Sequence, residues 1–188
     1  MIDMDAAEKA VADLLSAFGV DEGDHTERTP FRSAKAWRDI LCGYNEDPAE
    51  HLNVTFSAPG DPGLIIVSGI SMKSTCAHHL LPFTGVATVA YRPSPHQPIV
   101  GLSKLPRVLH GYARRLQVQE RIGSQTVDAI IRKLAPSGAC VLITASHDCM
   151  RLRGIGEPEA DTTTLAKSGH ITDEELGFIR DSHNAKVR

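Results

Sequence analysis

The chain has 188 residues, 41% of them hydrophobic, and a formal charge of −3. That length suits one domain with room for an N-terminal extension. The charge excludes a general nucleic-acid binder, and no apolar run reaches the ~20 residues that a membrane-spanning helix needs. The start Met1-Ile2-Asp3-Met4-Asp5 is acidic and lacks the basic, apolar and small-residue succession of a secretory signal. A cytoplasmic location with no membrane partner is therefore expected.

Residues 5–18 read as an amphipathic helix, with Val11, Leu14, Leu15 and Phe18 at helical spacing and Gly19 as a stop. A second helix starts at Thr29-Pro30, with Ala34, Trp37 and Leu41 as its buried stripe and Gly43 at its end. Residues 45–63 hold Pro48, Pro59, Gly60, Pro62 and Gly63 and read as a connecting segment. Leu64–Val67, the strand-like Ile70–Ser74 and Val86–Tyr91 follow, and Pro93, Pro95 and Pro98 mark a turn. Ser103 is placed to cap a helix running toward Gln117. Ser124 is placed to cap another, with Val127, Ile130, Ile131 and Leu134 on one side and Pro136 and Gly138 ending it. Residues 139–145 form a strongly apolar strand, a loop-rich tail follows, and 172–181 read as a short last helix. Strand pairs around a helix pair predict an α+β domain with an antiparallel sheet. No repeat or low-complexity tract is visible. So few strands suggest a sheet that extends across subunits.

Cysteines and histidines carry the chemistry. Cys42 and Cys140 sit in apolar surroundings and read as buried structural thiols. Cys76 opens the run Cys76-Ala77-His78-His79, and His147-Asp148-Cys149 follows the apolar strand. Without a secretion signal, such thiols point to metal rather than to disulfides. Two thiols and three imidazoles suffice for three ligands plus an open position, which is the pattern of catalytic rather than structural zinc. His147 and Cys149, two apart, face the same way if the segment is extended. The spacing alone leaves open whether His78 or His79 is the ligand. An imidazole left unligated beside a metal-bound water is suited to carry protons. His25, His51, His96, His110, His170 and His183 read as surface or satisfied core groups. A basic stretch containing Lys104, Arg107, Arg114, Arg115, Arg121, Arg151 and Arg153 suggests a local site for a phosphorylated small molecule.

Several segments together resemble the GTP cyclohydrolase I family of the tunnelling-fold (T-fold) superfamily. They are Ser74-Thr75-Cys76-Ala77-His78-His79-Leu80-Leu81-Pro82-Phe83, Gly101-Leu102-Ser103-Lys104-Leu105, the run from Arg114 to Arg121, His147-Asp148-Cys149-Met150 and Arg153-Gly154. Thr29-Pro30-Phe31-Arg32 is similar to the family's N-terminal helix start. The likeness spans roughly residues 6–170 and rests on the shared order and spacing of these segments. It implies an N-terminal helical region and linker over 1–60 and a T-fold catalytic domain over 61–188. It also implies zinc on Cys76, His79 and Cys149, and a guanine reader made of Glu120 with Gln119. Ser103, Lys104, Arg107 and Arg153 would bind the triphosphate, with Arg32 arriving from another subunit of a homodecamer. Arg114, Arg115 and Arg121 are expected in structural ion pairs.

The implied reaction converts GTP and water to 7,8-dihydroneopterin triphosphate and formate, in pterin and tetrahydrofolate biosynthesis. His147 would protonate the purine, and His78 and Ser103 would serve proton traffic near the ribose. The family commonly carries an acidic residue where this chain has Ala77. A divergent enzyme follows as a second reading, acting on another purine nucleotide or stopping at the ring-opened formamidopyrimidine. A non-catalytic ligand-binding T-fold protein is a third, opposed by the intact Cys, His and Gln-Glu set.

Overall fold

The computed structural model describes residues 2–20, 23–58 and 60–187. Pro59, one of the expected turn formers, lies outside the described residues. The chain divides into two compact units, Met1–Cys42 and Gly43–Arg188. Residues 43–60, read from sequence as part of an N-terminal region, thus group with the second unit.

The first unit holds α1 (Met4–Ala17) and α2 (Thr29–Ile40). Asp3 caps α1, its carboxylate accepting from the Ala6 amide at 2.9 Å. No residue of α1 is buried, and Leu14 and Phe18 of its apolar stripe are exposed. In α2 only Ala34 of the expected stripe is buried, while Trp37 and Leu41 are half-buried. Arg28, not Thr29, holds the N-cap position, and Pro30 occupies the first turn, where its missing N–H costs nothing.

The second unit is an α+β layer structure, the class expected. After a 3₁₀ helix at Pro48–Asn53 come β1 (Thr55–Phe56), β2 (Ile65–Cys76), β3 (Pro82–Arg92) and β4 (Ile99–Val100). Then follow α3 (Lys104–Ala113), β5 (Leu116–Gln117), α4 (Gln119–Leu134), β6 (Gly138–His147), α5 (Asp148–Arg151), β7 (Asp161–Gly169) and α6 (Asp173–Asn184). The main sheet has the order β5-β2-β3-β6-β7, antiparallel except for the short β2–β5 pairing. The segment 45–63, read as a bare connection, contains the 3₁₀ helix and β1.

The sheet is covered on both faces, which explains the apolar run of β6. Ala139, Val141, Ile143 and Ala145 join the larger core with residues of α3 and α4. Cys140 and Leu142 alternate onto the opposite face with Leu176 and Ile179 of α6. A strand buried on both sides loses the polar alternation that a half-buried strand shows. The segments 64–67 and 70–74 are one strand, β2, broken in phase by a bulge between Val67 and Ile70, with Gly69 at φ +74°. The extra residue shifts the alternation, so Ile65, Val67, Ile70 and Met72 all serve one core. Gly85 lets β3 and β6 approach closely: a Cβ there would lie 2.0 Å from the Thr144 carbonyl oxygen.

Helix α6 is anchored by a capping box between Thr172 and Glu175 and by His183, 1% exposed, near its far end. The His183 ring sits 3.0 Å from Thr88 Oγ1 and 2.9 Å from Thr144 Oγ1, which in turn lies 2.8 Å from Thr163 Oγ1. Burial holds its pKa below the ordinary histidine value. As pH falls, the unfolded chain therefore binds the proton first. Stability is full above the ordinary value of ~6.5 and declines as pH drops through it toward the depressed folded value. The urea midpoint is expected to fall from pH 7 to pH 5, with a shallower fall in His183→Gln. Equal slopes in the two proteins would refute this origin.

Candidate active site

One end of the sheet gathers the chemistry. After β2 the chain reverses through residues 77–81. The Leu80 amide donates to the Cys76 carbonyl at 2.9 Å, and the Cys76 amide to the Leu81 carbonyl at 2.8 Å. Leu80 adopts φ +57°, a left-handed conformation unusual for a branched side chain. This tight turn brings His79 back over Cys76, with Nδ1 3.6 Å from Sγ. Cys149 arrives from the other side, in α5 directly after β6. The ligand atoms of Cys76, His79 and Cys149 all lie within 4.8 Å of one another. The two-residue step from His147 to Cys149 is not extended, as the spacing had suggested, because the strand ends at His147 and a helical turn begins.

The donor set fits zinc. A tetrahedral ion with Zn–S of ~2.3 Å and Zn–N of ~2.0 Å separates a sulfur from a nitrogen ligand by about 3.5 Å. The Cys76–His79 distance lies close to that value. Three donors leave the fourth position open. Burial, and after it the neighbouring Cys76 thiol, push the Cys149 thiol pKa up. A divalent cation between the thiols reverses that balance and draws off the protons. No carboxylate joins the three donors among the described residues. Ala77 gives its amide to the Gln117 carbonyl at 2.9 Å.

His78 is exposed, its ring edge-on to His79 with centroids 6.1 Å apart. His147 stacks flat on Phe83, centroids 4.5 Å apart and planes 5° from parallel. Phe83 and His147 face each other across the β3–β6 register. Sequence reasoning gave Phe83 no role, because that role depends on a pairing between distant strands. Burial lowers the His147 pKa, and the Glu120 carboxylate opposes that shift, which places Glu120 within electrostatic reach of the ring.

Gln119 is turned inward. It is 2% exposed, and its amide nitrogen lies 3.0 Å from the Ile143 carbonyl, 2.9 Å from the Thr162 carbonyl and 3.1 Å from Thr164 Oγ1. Its Oε1 lies 2.8 Å from His147 Nε2. Both polar atoms of its side chain are thus engaged within the chain. Glu120, its neighbour in the first turn of α4, is exposed and lines a groove between α4 and β7 with Arg121, Ala166 and Lys167.

The basic residues fall into three groups. Arg153 follows α5, its Nη1 donating to His79 Nε2 at 2.9 Å, so it borders the donor cluster. Ser103, Lys104 and Arg107 lie at the N-terminal end of α3, where Lys104 and Arg107 form no ion pair among the described residues. Among the described residues, no hydrogen bond joins these three to the cluster. Arg32 is exposed on α2, in the first unit. Arg115 and Arg121, expected in ion pairs, instead donate to uncharged oxygens. Arg115 reaches the Gly43 and Glu46 carbonyls at 2.8 and 2.9 Å, and Arg121 reaches Gln117 Oε1 and the Leu116 carbonyl at 2.5 and 2.7 Å. Arg121 thus braces the short strand β5, and Arg115 ties its start to the carbonyls of Gly43 and Glu46.

Fold and site together define an α+β protein with an open three-donor site for a soft or borderline metal at one end of an antiparallel sheet. A family model described as GTP cyclohydrolase I matches residues 7–178, and the chain belongs to that family, whose members are hydrolases. GTP cyclohydrolase 1 of Mycobacteroides abscessus is 46% identical over 172 residues, covering 91% of this chain and 84% of the relative. The protein of the same name from Desulforamulus reducens is 45% identical over 170 residues, 90% of each chain. That of Streptomyces coelicolor is 44% identical over 168 residues, 89% of this chain and 83% of the relative. Among solved structures, the apo archaeosine synthase QueF-Like aligns with 59% of this chain at a TM-score of 0.46 and 14% identity. No helix among the described residues is long and apolar enough to cross a membrane.

Proposed function

We propose that the chain is a zinc-dependent GTP cyclohydrolase I that converts GTP and water to 7,8-dihydroneopterin triphosphate and formate in the cytoplasm. The observation that carries the reading is the Cys76, His79 and Cys149 cluster with an open fourth position, beside His147 and Glu120. Zinc, when bound there, would supply a water acidified to near neutrality.

The chain's own residues supply the rest. Cys76, His79 and Cys149 hold the ion. His147, held flat against Phe83, carries the proton that makes C8 of the purine electrophilic. The Glu120 carboxylate accepts from N1–H and the 2-amino group of guanine, a donor pair that adenine does not present. Lys104 and Arg107, with Ser103 at the start of α3, bind phosphate oxygens, and Arg153 joins them from beside His79. His78, exposed next to the cluster, serves proton exchange in the later ribose steps, with Ser103.

The assembly in this proposal is a homodecamer with sites at subunit boundaries. One feature favours it. β7 is a nine-residue strand at the edge of the main sheet. In this reading Arg32, exposed on α2, serves the phosphate end of a neighbouring copy's site.

The test is to count zinc per chain, then incubate the protein with GTP and follow both formate and the pterin fluorescence that appears after oxidation. One zinc per chain with both products is expected. Formate without pterin would replace the full reaction by one that halts at the ring-opened formamidopyrimidine, the outcome that Ala77 in place of an acidic residue favours. Full zinc and neither product would overturn the enzyme assignment.

A further inference from the structure

We propose that Gln119 is a positioning residue that fixes the tautomer of His147, so that His147 exchanges protons through Nδ1 alone. For its catalytic consequence this rests on the function proposed above. The tautomer itself does not.

The argument begins with the Gln119 amide, whose orientation its neighbours decide. Its nitrogen faces the carbonyl oxygens of Ile143 and Thr162, which can only accept, so the NH₂ end must point at them. The Thr164 hydroxyl, at 3.1 Å, is a third partner. The other end of the amide is then Oε1, which can only accept. His147 Nε2, 2.8 Å away, must therefore carry hydrogen and donate it. A neutral imidazole with hydrogen on Nε2 has its lone pair on Nδ1. The stack on Phe83 holds the ring plane, and a half-turn within that plane would put a carbon where Nε2 now meets Gln119 Oε1, so the hydrogen bond selects this orientation.

The amide is itself anchored where β6 and β7 meet the first turn of α4, between two strands that define this end of the sheet. Adjacent residues thus divide the work. Glu120 faces outward into the groove, and Gln119 faces inward to the ring. When His147 takes a second proton on Nδ1, its Nε2–H bond to Gln119 becomes charge-assisted and strengthens. Gln119 therefore acts on the transfer step and not on nucleotide affinity, whereas a guanine reader would act on affinity.

The experiment uses zinc-loaded protein with ¹⁵N-labelled histidine. Long-range proton–nitrogen correlations are recorded above the histidine titration range, and the His147 signal is assigned by its loss in His147→Asn. A single Nε2–H form of His147 is expected in the unsubstituted protein, and a mixture of both tautomers in Gln119→Leu. With GTP, Gln119→Leu is expected to lower kcat roughly 10–100-fold, the range for one hydrogen bond to a charged group, while the GTP dissociation constant stays within about twofold. An Nδ1–H form or a mixture in the unsubstituted protein would overturn the proposal, even if Gln119→Leu fails to fold. Weakened GTP binding at unchanged kcat would overturn it too and return Gln119 to guanine recognition. The single tautomer in a protein that forms no product from GTP would support the positioning role and remove the reaction instead.

Discussion

Replacing Cys149 with serine is expected to cost the protein its zinc and its turnover together. Cys76 and His79 lie on one tight turn and remain paired whatever happens elsewhere, since the turn is held by its own backbone bonds. Cys149 is the donor that comes from a separate element, after β6, and closes the set. Two donors hold zinc poorly, and a hydroxyl is a harder, far less acidic ligand than a thiol. Changes to groups that merely support a ligand typically cost ~10–100-fold in metal affinity, so removal of a ligand sulfur should cost about 100-fold or more. Turnover should drop by roughly 10³-fold or more, because acidification of water across many pKa units is what the ion supplies. The fold should survive: Cys149 is half-buried and only flanks the larger core. The measurements are zinc per chain after dialysis against a weak chelator, far-ultraviolet circular dichroism, and formate release. A folded Cys149→Ser protein that kept one zinc per chain would refute the ligand set.

The grouping of Cys76, His79 and Cys149 is legible in the sequence because such donors are chemically rare and come in two short runs, so few pairings are open. Choosing His79 over His78 was not legible from spacing. It depends on Leu80 taking a positive φ, which folds His79 over Cys76 and leaves His78 outside. Among the elements, β6 stands out because burial on both faces makes every position from Ala139 to Ala145 apolar except Thr144. β7 does not, and its sequence reads as loop. Its Asp161-Thr162-Thr163-Thr164-Leu165 start is polar, since an edge strand in a single chain alternates between exposed and half-buried positions. A cap at Ser124 would start α4 six residues late, for a related reason. Its N-cap is Val118, with no side-chain bond, and Ser124, which looks like a cap, bonds back to the Glu120 and Arg121 carbonyls inside the helix. That error hides Gln119 and Glu120 in an apparent loop, although they form the first turn of a helix packed on β6 and β7. Their opposite directions, one inward and one outward, come from that helical turn. No pattern of residue types encodes them.

Glu120→Gln is expected to raise the GTP dissociation constant by about 100-fold or more while zinc content and fold stay unchanged. The substitution keeps volume and removes the charge. It also puts an NH₂ group where one carboxylate oxygen accepted, so a donor meets a guanine donor. A hydrogen bond to a charged group contributes ~1.5–3 kcal/mol, and two such bonds are at stake. A site built to accept from two donors also discriminates against analogues that lack one, because a buried acceptor is then unpaired. Inosine triphosphate, which has no 2-amino group, should accordingly bind the unsubstituted protein far more weakly than GTP, and Glu120→Gln should narrow that gap. The phosphate contacts of Lys104, Arg107 and Arg153 are common to both nucleotides and cannot produce the difference. Glu120 is exposed and its side chain has no hydrogen-bond partner among the described residues, so the exchange should leave thermal stability within about 0.5 kcal/mol. Binding is measured by calorimetry with both nucleotides on zinc-loaded protein. GTP affinity unchanged in Glu120→Gln, or equal affinity of the unsubstituted protein for GTP and inosine triphosphate, would remove guanine reading from this residue and move the search for it along the α4–β7 groove.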